Sequence, residues 1–255
     1  MPKTSPVRLH VNILAWAGFE EKARIIEEAV TGHADTVSVI YSVPEKGPDV
    51  PDHWVTVPYE CFFGCKFHRA LEIHTGGVML QIQADAHTDD WPGLVAKCRD
   101  AFSSYPDLGV WGPSVDYSMY HPVSKVLIAD FAPEKSLVSV RQTDGIVWAL
   151  DERVIDRMRQ ADYSGNRLGW GIDGMAIAYA YSHNLLVLRD LSIEVSHPKG
   201  AGYGREEATR QLEWFRQQLT PQENIQWKIT RIPQNRLKTR DLFYLLGRRL
   251  FGLDR

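Results

Sequence analysis

The chain has 255 residues, 44% of them hydrophobic, enough for one large domain or two small ones. Its 29 basic and 32 acidic residues nearly balance, which excludes the global positive field that draws nucleic acid. Cys61, Cys65 and Cys98 form an odd set with no CxxC pair, so buried thiols in a reducing compartment are expected, without a disulfide framework or a Cys-based zinc site. Residues Met1 to Arg8 carry charge and proline but no apolar core, and nowhere do about 18 apolar residues run together. Neither a signal peptide nor a spanning helix is expected, which points to a cytoplasmic protein.

Val7 to Ala15 (VRLHVNILA) reads as a buried strand ending at Trp16-Ala17-Gly18. In the helix that follows, Phe19, Ala23, Ile26 and Val30 recur at helical spacing, Glu20 and Glu21 suit the positive end, and Gly32 stops it. Thr36 to Ser42 is a second β-rich run, so the chain opens β-α-β, the signature of a parallel sheet with crossover helices. Trp54 to Pro58 adds a short strand, and a helix around Lys66 to Ile73 ends near Gly76-Gly77. The next strand is Val78 to Ala84, followed at once by Asp85-Ala86-His87. Pro92 opens a helix that turns Val95, Cys98 and Phe102 inward. Polar residues at a strand's carboxyl end mark the ligand edge of an open α/β sheet.

The second half is less regular. Leu108 to Trp111, Lys125 to Ile128 and Leu137 to Val140 read as strands. Thr143-Asp144-Gly145 leads into the apolar run Ile146 to Leu150 and a short helix through Met158. After the Gly-rich turn Asn166 to Gly171, Asp173 begins a helix to about Ser182. Two strands are expected next, Leu185 to Leu188 and Ser192 to Val195. The loop Ser196 to Gly204 then precedes a helix with Ala208, Leu212, Phe215 and Leu219 inward. The simplest organisation is one α/β domain over 1–230, with a nucleotide-binding half (7–105), an acceptor half (106–230) and a basic tail (231–255).

Three segments carry the chemistry. Asp85-Ala86-His87 offers a carboxylate and an imidazole that face one divalent cation if the chain turns there; a cation bridging a diphosphate stabilises its departure. The bland alternative is a solvated loop. In Gly169-Trp170-Gly171-Ile172-Asp173, the glycines admit close approach of a ligand, Trp170 can stack on a sugar, and Asp173 falls at a helix start where ionised carboxylates are favoured. An ionised Asp is suited to take a proton from an acceptor hydroxyl, whereas the bland alternative is a helix cap. His197 ends an apolar strand and begins a loop with Lys199, Tyr203 and Arg205, able to close over a diphosphate.

In this order the segments resemble the GT-A glycosyltransferases, including the large inverting family and the polypeptide N-acetylgalactosaminyltransferases. There a β-α-β-α-β half ends in Asp-X-Asp or Asp-X-His, a Trp-Gly turn with an acidic residue follows, and a last strand ends in a metal-ligating His. The resemblance covers roughly Val7 to Trp214 and implies a GT-A fold, with a mixed, mostly parallel sheet between helices. It also implies a nucleotide-sugar donor and a glycan or lipid-linked saccharide acceptor. Asp85, His87 and His197 are then ligands of Mn²⁺ or Mg²⁺, and Asp173 is the candidate base. Ala15, Ser42 and Gln83 flank the nucleotide, while Asp144, Trp170, Gly171, Lys199 and Tyr203 shape the donor and acceptor pocket.

The sequence departs from that pattern in three places. An alternative register takes Gln83-Ala84-Asp85 as the Asp-X-Asp motif with its first acid replaced, leaving His87 a bystander. The second strand lacks a terminal Asp, and Ile172 stands where many relatives carry Glu. A nucleotidyltransferase and a catalytically degenerate GT-A binding protein are the rival readings.

The tail, Arg236 to Arg255, holds six basic residues against two acidic ones, with Leu242, Leu246, Leu250 and Leu253 on one helical face. An amphipathic helix lying peripherally on an anionic membrane is one expectation. Packing on the chain's own domain or in a homo-oligomer is the other.

Overall fold

The computed structural model describes residues 7–44, 49–116, 126–132, 135–198 and 204–231. The expected tail helix, Lys199 and Tyr203 lie outside the described residues. Nine strands form one sheet in the order β3-β2-β1-β4-β8-β5-β9-β7-β6. They are β1 (Leu9–Trp16), β2 (Thr36–Val43), β3 (Val55–Pro58), β4 (Val78–Gln83), β5 (Leu108–Val115), β6 (Val126–Ala132), β7 (Leu137–Val140), β8 (Val147–Leu150) and β9 (Leu186–Val195). The helices are α1 (Glu20–Val30), α2 (Phe63–Ile73), α3 (Trp91–Ser104), α4 (Glu152–Arg159), α5 (Ile172–Ser182), α6 (Arg205–Arg216) and α7 (Pro221–Thr230).

Alternation along the strands sorts the core into two layers. Val11, Ile13 and Ala15 of β1 pack with Ala23 and Ile26 of α1 and Val95 and Cys98 of α3. Leu14 of the same strand faces the other way, where Phe67, Ile155, Met175, Phe215 and Trp227 bring in α2, α4, α5, α6 and α7. The sheet is mixed. Strands β3, β2, β1 and β4 run parallel, as do β5 and β9, whereas β8 is antiparallel to both β4 and β5.

That double reversal through β8 decides where the site is. It returns β5 and β9 to the direction of β1, β2 and β4, so the carboxyl ends of all five strands share one edge. Residues far apart in sequence meet there because of strand direction, which hydropathy alone does not reveal.

Two expectations are corrected. The strands read at Leu185–Leu188 and Ser192–Val195 are one strand, β9, with an internal bulge: Pro113 of β5 pairs with Asp190, but Ser114 pairs with Glu194. Pro113 has no N–H for the ladder, and the Asp190 carboxylate accepts from the Ser192 N–H at 2.9 Å, holding the excursion. Cys61 and Cys65, expected as thiols, are joined in a disulfide, while Cys98 is free and buried. Helix α2 begins at Phe63, earlier than the sequence suggests, which brings the two Cα atoms to 5.2 Å, within bridging range.

Candidate functional site

The shared edge is built from the ends of the parallel strands. Ala15 pairs with Tyr41 and Trp16 with Ser42, while Leu14 pairs with Gln83. Ala15, Ser42 and Gln83, the expected nucleotide flank, therefore end three neighbouring strands. Past β4, the chain turns at Asp85, and a backbone bridge ties it to the end of β9. His87 N–H donates to Ser196 O at 2.9 Å and Ser196 N–H returns to His87 O at 2.8 Å.

This bridge brings Asp85 and His197 together. The imidazole Nε2 lies 3.1 Å from Asp85 Oδ2, with the two side chains 12% and 13% exposed. The backbone of His197 is fixed as well, because its N–H donates to Asp116 Oδ1 at 3.0 Å. The other oxygen of Asp85, Oδ1, is buried with no hydrogen-bond partner among the described residues. A buried carboxylate oxygen with spare acceptor capacity beside an imidazole is a donor set that fits a borderline divalent cation.

His87 does not join them. Its side chain is 69% exposed and reaches Asp89 at 3.4 Å. The bridge uses the backbone of His87, which directs its ring to solvent. Of the three side chains expected to converge, Asp85 and His197 meet and His87 does not, and no group of three or more His, Cys, Asp or Glu side chains able to hold a metal occurs among the described residues.

Asp144 lies behind the pair, in the loop entering β8. Burial pushes its carboxyl pKa up; the Arg189 charge opposes that shift, Asp173 reinforces it, and His197 opposes it. Asp144 Oδ1 accepts from the Ile146 N–H at 3.2 Å, whereas Oδ2 is buried without a hydrogen-bond partner among the described residues. The loop is held from β4: the side-chain amides of Gln81 and Gln83 donate to Gly145 O at 2.9 and 3.3 Å. Gln81 also accepts from Trp148 Nε1 at 2.6 Å.

The Gly169–Asp173 turn meets the Asp144–Gly145 loop through the Phe63 side chain. Gly169 (φ 85°) and Gly171 (φ 90°) are left-handed, and Gly171 is the N-cap of α5. With glycine at the cap, no side chain caps α5, so Asp173 in its first turn is not the cap. Trp170 is partly exposed, its carbonyl held by the Asn166 side-chain amide at 2.7 Å. Phe63 wedges between the two loops: a Cβ on Gly169 would fall 1.9 Å from its ring, and one on Gly145 would fall 3.1 Å from it.

One further residue belongs to the site. Lys66, in the first turns of α2, is 3% exposed, donates to Ala15 O at 3.1 Å and lies 4.6 Å over the Trp16 ring. Desolvation lowers its pKa to about 7, with the Asp85 charge pulling the other way. A signal for it exists in the sequence. Lys66 is spaced three residues from Phe63 and four from Ala70, on the face of the helix that turns inward.

No protein-family model matches the sequence, and no curated protein matches it. Solved structures share its fold. GalNAc-T7 with UDP, GalNAc and Mn²⁺ superposes with a TM-score of 0.56 at 9% identity, over 78% of this chain and 45% of that one. The chain therefore spans under half the length of that protein. The mannosyltransferase PcManGT from Pyrobaculum calidifontis, in complex with GDP-Man and Mn²⁺, matches at 0.53 and 12% identity, over 95% and 81%. Glucosyl-3-phosphoglycerate synthase from Mycobacterium tuberculosis, with Mn²⁺, UDP-Glc and phosphoglyceric acid, matches at 0.52 and 11% identity, over 82% and 78%. The chain thus shares the GT-A fold of these three structures.

Proposed function

We propose that this chain is a metal-dependent glycosyltransferase moving a sugar from a nucleoside-diphosphate sugar to a glycan or lipid-linked acceptor. The observation that carries the reading is the meeting of Asp85 and His197 at the carboxyl edge of a GT-A sheet. A divalent cation, Mn²⁺ or Mg²⁺, would be held by these two side chains, and when bound it supplies charge neutralisation for the departing diphosphate. The fit rests on the spare buried oxygen of Asp85. The Mn²⁺ of the solved relatives supports the same choice.

The chain's own groups take the remaining roles. Gln83 borders the nucleotide, while Ala15 and Ser42, buried at the ends of β1 and β2, form the floor beneath it with Lys66, whose amine carries charge there only when protonated. Asp144, with Trp170 and Gly171, faces the transferred sugar. Asp173 accepts the proton of the acceptor hydroxyl as that oxygen bonds to the anomeric carbon and the bond to the diphosphate breaks. The Gly171 cap leaves its carboxylate uncommitted to capping.

The test is a screen of UDP-, GDP-, dTDP- and CMP-sugars for thermal stabilisation with and without Mn²⁺, since a ligand that binds the native state raises its unfolding temperature. One donor should stabilise the fold, and only with the cation. Stabilisation by a nucleoside triphosphate, with consumption of a sugar phosphate, would instead assign a nucleotidyltransferase.

A further inference from the structure

The first turn of α2 is poor helix-forming sequence. Its N-cap is Phe62, which makes no side-chain capping bond, and Phe63 and Gly64 follow. Gly64 is buried against another loop: a Cβ there would fall 2.0 Å from Asn166 O. The Cys61–Cys65 disulfide supplies the restraint that the local sequence lacks. It joins the residue before the cap to the third residue of the helix, across Phe62, Phe63 and Gly64.

Those three bracketed residues are the ones that touch the site's loops. The Phe62 ring lies 4.9 Å from the Arg167 guanidinium. Phe63 stands between Gly145 and Gly169, and the Gly64 N–H donates to Arg167 O at 2.9 Å. The disulfide therefore fixes the short piece of chain on which the Asp144–Gly145 loop and the Asn166–Gly171 turn both rest. Further along, α2 is held by the core packing of Phe67, Ala70 and Leu71, which does not involve the sulfurs. The Asp85–His197 pair is held separately, by the His87–Ser196 bridge. Both bridged cysteines are half-buried, within reach of a small thiol, whereas Cys98 is buried.

We propose that the Cys61–Cys65 disulfide is a redox-sensitive clamp on the site: closed, it holds the first turn of α2 against both loops, and opened by a dithiol reductant, it releases them. A thiolate of the reductant attacks one sulfur of the pair, giving a mixed disulfide and a cysteine that takes up the proton the reductant lost. The second thiol then displaces the other cysteine as the reductant closes to a cyclic disulfide. Two electrons and two protons pass to Cys61 and Cys65. The sulfurs are only four residues apart, so opening loosens this turn locally and leaves the sheet with its two core layers in place. The clamp stands without the glycosyltransferase reading; the slower transfer expected from a slack Asp173 turn rests on it.

Hydrogen exchange of the full chain, air-oxidised and after dithiothreitol, tests this directly. Unfolded in denaturant, the oxidised chain should titrate one thiol, that of Cys98. Reduction should raise exchange about tenfold in peptides covering 62–67 and 166–171, and reoxidation should restore it, while β1 and β4 stay unchanged. The double substitution Cys61→Ser, Cys65→Ser should exchange like the reduced chain and ignore dithiothreitol. A nucleotide sugar that stabilises the oxidised chain should turn over about tenfold more slowly after reduction. Three titratable thiols in the oxidised chain, equal exchange at 166–171 in both redox states, exchange that rises throughout the sheet, or unchanged turnover would each overturn the proposal. Exchange that responds to dithiothreitol in a chain that no nucleotide sugar stabilises would remove the glycosyltransferase reading and leave the clamp standing.

Discussion

The Asp85 carboxylate and the His197 imidazole meet at 3.1 Å, joined from behind by the His87–Ser196 backbone bridge. Neither side chain is free to wander, because the turn after β4 and the end of β9 are tied together on both strands of that bridge. Preorganisation of this kind favours a cation over bulk water, since no loop must be ordered to form the pair. Asp85→Ala should weaken Mn²⁺-dependent donor binding about 100-fold, near 3 kcal/mol, measured by titration calorimetry. His87→Gln should change it by less than about 0.5 kcal/mol, as expected of a solvated side chain.

Asp173 occupies the first turn of α5 without being its cap. Asp173→Asn should therefore leave the melting temperature within about 1 °C and donor binding unchanged, while turnover falls about 100-fold or more. A loss of stability with preserved turnover would return this residue to a structural role.

The wedge of Phe63 between Gly145 and Gly169 makes the Gly169 position intolerant of any side chain. Its φ of 85° is strained for other residues, and a Cβ there would collide with the ring at 1.9 Å. Gly169→Ala should cost roughly 2–4 kcal/mol in denaturant unfolding. Turnover should fall with it, because the displaced ring moves both loops of the site.

How much of this could be read from the sequence depends on the kind of information each feature needs. The strands and helices of the first half followed from hydrophobic period, and Asp85, Asp173 and His197 stood out because polar groups ended apolar strands or opened a helix. Which of them converge required strand direction, and that turned on β8, a four-residue strand read only as an apolar run. The orientation of His87 was hidden because a backbone bridge, not a side-chain pattern, sets it. The Cys61–Cys65 pairing depended on where α2 begins, a boundary that local periodicity places poorly. Lys66 reads in the sequence as an ordinary helical lysine, although Phe63 and Ala70, its neighbours at helical spacing, are apolar. Helix α7 had no strong hydrophobic period of its own, since its buried face is a Glu, a Trp and a Thr.

Far from the site, at the amino ends of the strands, His10 and His74 are both buried with ring centroids 4.9 Å apart. Desolvation, with the neighbouring His10, Arg159 and Arg8 charges, lowers the His74 pKa to about 4, opposed by its hydrogen bond to Gly77 O. The unfolded chain therefore binds more protons than the native one between about pH 6.5 and 4, and this contribution to stability, complete above about 6.5, is lost as pH falls through that window. The loss should be on the order of 2–3 kcal/mol by denaturant unfolding, and His74→Gln should flatten the pH dependence.

The central claim, a single divalent cation held by Asp85 and His197, is tested most directly by pulsed electron paramagnetic resonance of Mn²⁺ bound with a nucleoside diphosphate. The account predicts one Mn²⁺ per chain with a histidine nitrogen coupling that survives His87→Gln and disappears in His197→Gln. A bound Mn²⁺ with no histidine coupling, or one whose coupling persists in His197→Gln, would contradict it.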